Sequence, residues 1–292
     1  MNPNASTKTA SAGTERTCLI CGNSDKINLL FKLSRPILQC GVCNLVFAEP
    51  FIGGTKPDNY SESYYRSGIY ADYLEDRPAI HKNAVRTLEN FERYVQGRAL
   101  FDVGCAAGFF LEAARAQGWI VRGLEFSEYA SEYARRELQL PVETGSILSP
   151  PTELPLFDVI TLWDTIEHLD RPDLALSNIH SLLNPQGLFT FSTGDYGSLL
   201  RRLTGKKWRL FSDPTHNFFF DEQTLRRLLS QTGYKIIRVQ REGKWVSLSM
   251  ILHQSGLPFA TRLHKWMRSK RFNPSLYVNL RDVITIYAKP IK

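Results

Sequence analysis

The chain has 292 residues, with 36 Lys and Arg against 29 Asp and Glu, a formal net charge of +7, and 43% hydrophobic residues. That length suits one large domain plus a small module, and no run approaches the roughly 18 apolar residues of a membrane-spanning helix, which excludes that class. The positive balance admits an anionic substrate, a nucleic acid or a membrane surface and selects none of them.

Residues 1–16 are rich in Ser, Thr, Asn and Ala and contain no apolar signal-peptide core. A disordered tail is expected there, and the lack of an export signal favours the cytoplasm. Residues 17–48 carry four of the five cysteines, as Cys18-Leu19-Ile20-Cys21 and Cys40-Gly41-Val42-Cys43. Two C-x2-C pairs at this separation fit the zinc-ribbon template, in which four thiolates close a tetrahedral shell, so the expected Zn2+ is structural. Disulfides are the alternative, disfavoured in a reducing cytosol. Gly22 and Asn44, directly after each pair, suit the unusual backbone angles of such turns. A segment this small needs the metal for its folding energy.

Residues 49–97 read as a connector and a leading helix. The connector holds Tyr60, Tyr64, Tyr65 and Tyr70, read as an amphipathic latch in preference to a ligand contact. The helix is marked by Leu74, Ile80, Ala84, Leu88, Phe91 and Val95 on broadly one face.

From residue 98 to 292 the pattern is α/β. A buried strand, 99–103, runs into the turn Gly104-Cys105-Ala106-Ala107-Gly108. A helix over Phe109–Ala116 follows, stopped at Gly118, and then a strand over 120–124 that ends in Glu125. Such a unit holds a nucleoside at the carboxyl edge of a parallel sheet, its glycines admitting the ligand and its acid accepting ribose hydroxyls. The dinucleotide pattern would need a third glycine near Phe110, which is missing, so no pyrophosphate is expected. Asp102 would repel phosphate and suits a cationic ligand carrying an amino group. Cys105 reads as a small packing residue. Further strands are predicted near 141–143 and over 159–163, 188–192, 235–239 and 283–287, with Ser127 as an N-cap and a helix over 225–231 ended by Gly233. Alternating strands and helices predict a Rossmann-like, doubly wound, mostly parallel seven-stranded sheet. Residues 244–280 form an insertion that includes 261–271, with five permanent cations and no acid. That stretch suits a membrane surface, a lipid-linked or nucleotide-linked acceptor or RNA, against a solvated helical face or dimer contact.

At these residues the chain resembles the class I S-adenosylmethionine-dependent methyltransferases. Asp102-Val103-Gly104-Cys105-Ala106-Ala107-Gly108 resembles their Asp/Glu-x-Gly-x-Gly-x-Gly motif, with Ala106 in place of the middle glycine. Gly123-Leu124-Glu125-Phe126-Ser127 is similar to the ribose-binding motif. Trp163-Asp164-Thr165-Ile166-Glu167-His168-Leu169 resembles the fourth strand's end and the Glu-His-Leu signature of one broad branch. The resemblance implies S-adenosyl-L-methionine as cofactor, held by Asp102, Gly104, Gly108, Glu125, Phe126, Ser146, Ile147, Trp163 and Asp164. The acid that often binds adenine is Ser146 here, which leaves the Ile147 backbone and packing. A four-cysteine ribbon ahead of this core resembles bacterial enzymes that methylate sugars in deoxysugar, antibiotic and surface-polysaccharide pathways. Relatives that methylate carbon usually carry a further carboxyl-terminal domain, so oxygen is the expected methylated atom.

Methyl transfer is an in-line displacement, so the protein aligns the acceptor and removes its proton, through a base or a metal. Asp164, Glu167 and His168 would share a face if their segment were helical. His168 is a candidate base oriented by Glu167; alternatively both bind a divalent ion, or they cap the turn. His216, in Thr215-His216-Asn217-Phe218-Phe219-Phe220, is a second candidate on the acceptor side, the bland alternative being an imidazole bonded to backbone and packed by Phe218 and Phe220. The leading expectation is O-methylation of a sugar or polysaccharide precursor, a small-molecule or carbohydrate acceptor. An RNA methyltransferase gripping through ribbon and insertion, and a non-catalytic scaffold, are the competing readings. Nucleic acid is disfavoured because the Asn/Asp-Pro-Pro-Tyr/Phe motif of many base-methylating enzymes does not follow the fourth strand. Peripheral membrane contact would fall to the insertion, and the oligomeric state is open.

Overall fold

The computed structural model describes residues 17–50, 73–255 and 273–291. The tail 1–16, the tyrosine connector and the basic stretch 261–271 lie outside the described residues.

Three short strands open the chain: β1 (Ile27–Lys32), β2 (Pro36–Cys40) and β3 (Val46–Ala48). They form an antiparallel meander. A 3₁₀ turn at Tyr73–Asp76 leads into helix α1 (Arg77–Phe91), whose Ala84, Leu88 and Phe91 are buried as the helical spacing requires. Then come β4 (Ala99–Val103), α2 (Phe109–Ala116), β5 (Ile120–Glu125), α3 (Glu128–Arg136), β6 (Val142–Thr144) and β7 (Phe157–Trp163). Ser127 caps α3 as expected, its hydroxyl accepting from the Ala130 N–H at 3.3 Å.

After a 3₁₀ turn at Ile166–His168 come α4 (Pro172–Leu182) and β8 (Leu183–Gly194). β8 starts earlier than the predicted 188. Leu183 pairs with Phe157, and the Asn184–Gly187 turn is absorbed as an irregularity before Leu188 pairs with Val159. Helix α5 (Leu199–Thr204), the dipeptide strand β9 (Phe218–Phe219) and α6 (Glu222–Gln231) follow. α6 begins three residues before the predicted start because Asp221 and Thr224 form a reciprocal capping box. β10 (Tyr234–Gln240), β11 (Lys244–Ser247), α7 (Leu248–Ser255), β12 (Ser275–Val278) and β13 (Val283–Pro290) complete the order. The insertion therefore contains a two-stranded antiparallel ribbon, β11 with β12.

The main sheet runs β10-β13-β8-β7-β4-β5-β6. β4 through β8 are parallel, and β13 lies antiparallel to both its neighbours. Both faces are covered, so the central strands are buried throughout, as parallel strands require. One core joins α1, α2 and α3 to one face through Leu88, Phe91, Phe109, Leu111 and Ala134. The other joins α4 and α6 to the opposite face, and it also includes Cys18, Leu38, Cys40, Leu45 and Phe47 of the cysteine module. The module's meander extends into the second half of the chain, because β3 pairs antiparallel with β9, Val46 opposite Phe219 and Phe47 opposite Phe218. Among the described residues no helix is long and apolar enough to cross a membrane.

Candidate active site

The carboxyl edge of the sheet gathers most of the residues singled out in the sequence. Parallel pairing sets Asp102 of β4 opposite Thr161 of β7. The Thr161 hydroxyl donates to Asp102 Oδ1 at 2.6 Å. Burial nevertheless pushes the Asp102 carboxyl up to about 7, the threonine opposing and Glu125 adding to the rise.

Beyond Asp102 the chain turns sharply: Gly104 has φ 73° and Gly108 φ 84°. Both are glycine for steric reasons as well, since a Cβ on Gly104 would lie 2.6 Å from Thr165 Oγ1 and one on Gly108 2.6 Å from Leu140 Cδ1. Ala106 also sits at positive φ, 48°, so the turn keeps the left-handed geometry of the missing glycine at a conformational cost. Glu125 closes the turn. Its two carboxylate oxygens accept from the Ala106 and Ser127 N–H groups, each at 2.8 Å. Burial raises this carboxyl above its ordinary value while those N–H donors pull it back. Phe126 beside it is half-buried. Ser146 accepts from the Leu148 N–H at 3.2 Å, Ile147 is buried with its carbonyl accepting from Asn178 Nδ2 at 2.7 Å, and Trp163 packs edge-on to Phe110 at 5.4 Å.

The turn after β7 departs from expectation. Asp164 has φ 45°, and its carboxylate accepts from Ser192 Oγ at 2.7 Å and Lys244 Nζ at 3.2 Å. Burial would raise this carboxyl, but Lys244 and Ser192 outweigh it and hold it below its ordinary value. Only Ile166–His168 is helical, and as 3₁₀, so Asp164, Glu167 and His168 do not share an α-helical face. The grouping that forms instead is Glu167, His168 and His216, all buried, with one donor atom from each within 4.8 Å of the others. The imidazoles of His168 and His216 meet edge to face, centroids 4.7 Å apart. The ring nearest His216 among the following aromatics is Phe219, at 6.2 Å, whereas Phe218 stacks on Phe220.

Hydrogen bonding fixes both tautomers. His216 Nδ1 lies 2.9 Å from the Leu210 carbonyl, which can only accept, so Nδ1 carries the proton and Nε2 the lone pair. His168 Nδ1 lies 3.2 Å from the Thr215 carbonyl and 3.0 Å from the Thr215 hydroxyl, which itself donates to Asp213 at 2.6 Å. His168 Nδ1 is therefore a donor as well. Burial, with His216 adding, pushes His168 down to about 4, and burial also lowers His216. Burial and the nearby Asp164 push Glu167 up to about 8, and its Oε2 is buried without a hydrogen-bond partner. With no ion bound, these shifts favour neutral imidazoles and a protonated carboxyl. A divalent cation would find one oxygen and two nitrogen donors here, and the orphaned Oε2 fits that role.

The cysteines meet at the other end of the module. Cys18 Sγ lies 3.3 Å from Cys43 Sγ and Cys21 Sγ 3.5 Å from Cys40 Sγ, and all four are within 4.8 Å. These spacings approach the roughly 3.8 Å edge of a tetrahedron with zinc–sulfur bonds of about 2.3 Å. Gly22 (φ 69°) and Asn44 (φ 65°) close the two knuckles as expected, their N–H groups donating to the Cys18 and Cys40 carbonyls. Burial pushes Cys18 up to about 11, whereas backbone donors overcome burial at Cys40 and bring it to about 7. Four thiols converging on one point suit a dication that deprotonates them together.

The sequence pattern of a family described as methyltransferase domain matches residues 73–239, more than half of the chain. This chain belongs to that family. It is an S-adenosylmethionine-dependent methyltransferase of the class I fold. Among curated relatives, an ubiquinone biosynthesis O-methyltransferase of Coxiella burnetii is 25% identical over 156 residues, covering 50% of this chain and 67% of that protein. One of the same name from Histophilus somni is 31% identical over 131 residues, 40% of this chain and 55% of that protein. Among solved structures, magnesium protoporphyrin IX methyltransferase of Synechocystis with bound SAH is 15% identical with a TM-score of 0.51, covering 78% of this chain and 97% of that one. A methyltransferase of Archaeoglobus fulgidus is 18% identical with a TM-score of 0.52, covering 74% and 98%.

Several residues that shape this methyltransferase's site carry no motif. Thr161 is recoverable only from strand register, opposite Asp102. Lys244 and Ser192, which hold Asp164, come from the insertion and from β8. Asp213 and Thr215 orient the imidazoles, and Arg35 and Asn217 tie them to the cysteine module; nothing in the sequence near them signals those contacts.

Proposed function

We propose that this methyltransferase O-methylates a hydroxyl of a small-molecule acceptor, with sugar or polysaccharide precursors as the acceptor class, using the Glu167–His168–His216 cluster on the acceptor side. The observation that carries the reading is the pair of buried neutral imidazoles beside the glycine turn, where Thr165 both packs against Gly104 and starts the segment bearing Glu167 and His168. The curated relatives are named as O-methyltransferases, which supports oxygen as the methylated atom. The sugar class rests on the four-cysteine module ahead of this core.

S-Adenosylmethionine supplies a methyl group already attached to its leaving group. Asp102 and Glu125 would receive its amino and ribose groups, Phe126, Ser146, Ile147 and Trp163 would flank its adenine, and Gly104 and Gly108, at positive φ and packed against Thr165 and Leu140, would shape the turn that holds it. Asp164, held by Ser192 and Lys244, would add a cofactor contact just after β7. His216 Nε2 takes the acceptor's proton, its Nδ1–H anchored on Leu210 and Asp213 stabilising the resulting imidazolium. His168 supports it from the side, and Glu167 supplies a neutral donor; Glu167, His168 and His216 would alternatively hold a divalent ion, whose chemistry when bound would be to lower the pKa of the acceptor hydroxyl. The cysteines Cys18, Cys21, Cys40 and Cys43 would hold a structural Zn2+.

The test is a methyl-transfer assay with labelled cofactor over sugar-nucleotide and phenolic acceptors, detecting methylated product. His216→Ala should lower turnover by roughly 10²-fold or more with cofactor affinity unchanged, and Glu125→Ala should weaken cofactor binding instead. Full turnover by His216→Ala would remove it from the chemistry, and activity on phenols alone would replace the acceptor class.

A further inference from the structure

One residue of the cysteine module reaches the acceptor side directly. Arg35 lies in the turn between β1 and β2, flanked by exposed Ser34 and Pro36, yet only 7% of it is exposed. A buried guanidinium is costly unless its donors are satisfied. Here Nη1 donates to the Pro50 carbonyl at 2.7 Å and to Asn217 Oδ1 at 3.3 Å, and Nη2 donates to the His216 carbonyl at 2.5 Å. Asp213 supplies the nearby negative charge.

Asn217 carries the contact onward. It is fully buried, and its Nδ2 donates to the His168 carbonyl and to Asp170 Oδ1, each at 3.0 Å. Those two acceptors fix the amide so that Oδ1 faces Arg35. Its N–H donates to the Glu167 carbonyl and its own carbonyl accepts from the Ala48 N–H of β3, both at 2.8 Å. One side chain from the module and one asparagine thus touch the backbone of all three members of the cluster: Arg35 holds His216, and Asn217 holds Glu167 and His168. A network with donors and acceptors matched in this way is rigid and breaks as a unit.

We propose that Arg35 is a positioning residue of this methyltransferase: its guanidinium fork sets the His216–Asn217 segment against Glu167 and His168, so that the cysteine module completes the acceptor side. The proposal rests on the acceptor-side reading of His216. Lysine cannot replace the fork, since a single ammonium cannot span Pro50, His216 and Asn217 in one plane. Gln231 provides the control. It also ties the module to the main domain, through helix α6, its Nε2 donating to the Ile20 carbonyl at 2.9 Å, but it touches none of the three cluster residues.

The experiment compares the full, zinc-loaded chain with Arg35→Lys, Arg35→Met and Gln231→Leu. Its first readout is the ring NMR signals of His168 and His216 at one fixed pH, which requires no acceptor. Arg35→Lys should shift both sets of signals, while Gln231→Leu leaves them in place and S-adenosylhomocysteine stabilises every folded variant as it does the parent. If Arg35→Met does not fold, Arg35→Lys carries the comparison. Unchanged imidazole signals in folded Arg35→Lys would overturn the proposal, and so would equal shifts in Gln231→Leu, which would mark a general effect of loosened docking. With a turned-over acceptor, Arg35→Lys should lose about tenfold or more in kcat with the cofactor KM unchanged; a loss confined to the cofactor KM would also overturn it. Failure of the acceptor-side reading itself looks different: His216→Ala keeps full turnover although the signals of Arg35→Lys still move.

Discussion

Asp102 shows how one residue couples fold stability to ligand affinity. Burial raises its carboxyl to about 7, while an unfolded chain releases that proton near pH 4. Between those values the folded state binds the proton and the unfolded state does not, so this contribution to stability is fully present below about pH 4 and lost as pH rises through about 7. Glu167, raised to about 8, acts with the same sign and extends the window upward. In the proposed site a cationic cofactor would reverse the preference by pairing with the carboxylate. Affinity for S-adenosylmethionine should therefore be about tenfold higher at pH 8 than at pH 6, as titration calorimetry would report. A flat profile would mean that Asp102 does not face the ligand's charge. Ala106 makes a second residue-scale test. An alanine at φ 48° costs roughly 1–2 kcal/mol of steric strain, partly offset by the chain entropy a glycine would lose. Ala106→Gly should raise the melting temperature by roughly 2 °C and keep cofactor binding; a lower melting temperature would show that the methyl packs better than the angle suggests.

At the scale of elements, the glycine turn and the turn after β7 are one structure built from two distant stretches. Gly104 has no room for a side chain because Thr165 fills it, and the Thr165 hydroxyl is itself tied to the Trp163 carbonyl at 2.8 Å. Gly104→Val should abolish cofactor-induced thermal stabilisation through this clash and its positive φ, whereas Gly118→Ala, at φ 80° with open space around it, should cost only about 1 kcal/mol. Loss of cofactor response in both would refute the steric argument. These elements were legible in the sequence because their signals are local. Apolar runs bounded by Gly104, Gly118 and Gly233 mark the strands and helices, and two C-x2-C pairs followed by Gly22 and Asn44 mark the knuckles. What was not legible depends on register. That Thr161 would meet Asp102, that Asp164 would turn to Ser192 and Lys244, and that Glu167, His168 and His216 would converge all follow from which strands lie side by side. The expected helical face failed because Asp164 adopts a left-handed backbone and only a short 3₁₀ turn, not an α-helix, bears Glu167 and His168.

Across the whole molecule, the cysteine module and the methyltransferase sheet share their core. Read as a sequence, the module ends near residue 48 and stands apart. In the structure its last strand, β3, pairs with β9, a strand of two residues too short to leave a periodic signature, and Phe47 joins Phe218, Phe220 and Leu225 in one apolar cluster. The Cys43 carbonyl also accepts from Arg227 of α6 at 3.2 Å. Metal in a small ribbon supplies folding energy outright, on the order of 10 kcal/mol in isolated zinc-binding peptides. A metal held here would transmit that energy through a continuous core rather than confine it to a module on a linker. Stripping zinc with a chelator should therefore lower the melting temperature of the entire chain by several degrees in a single transition. Calorimetry at matched S-adenosylhomocysteine concentrations should show the methyltransferase sheet and the module melting together, with and without metal. A separate low-temperature transition in the stripped protein, with the main one unmoved, would show that the β3–β9 pairing transmits no stability. The same result would leave Arg35 without a fixed base from which to hold His216.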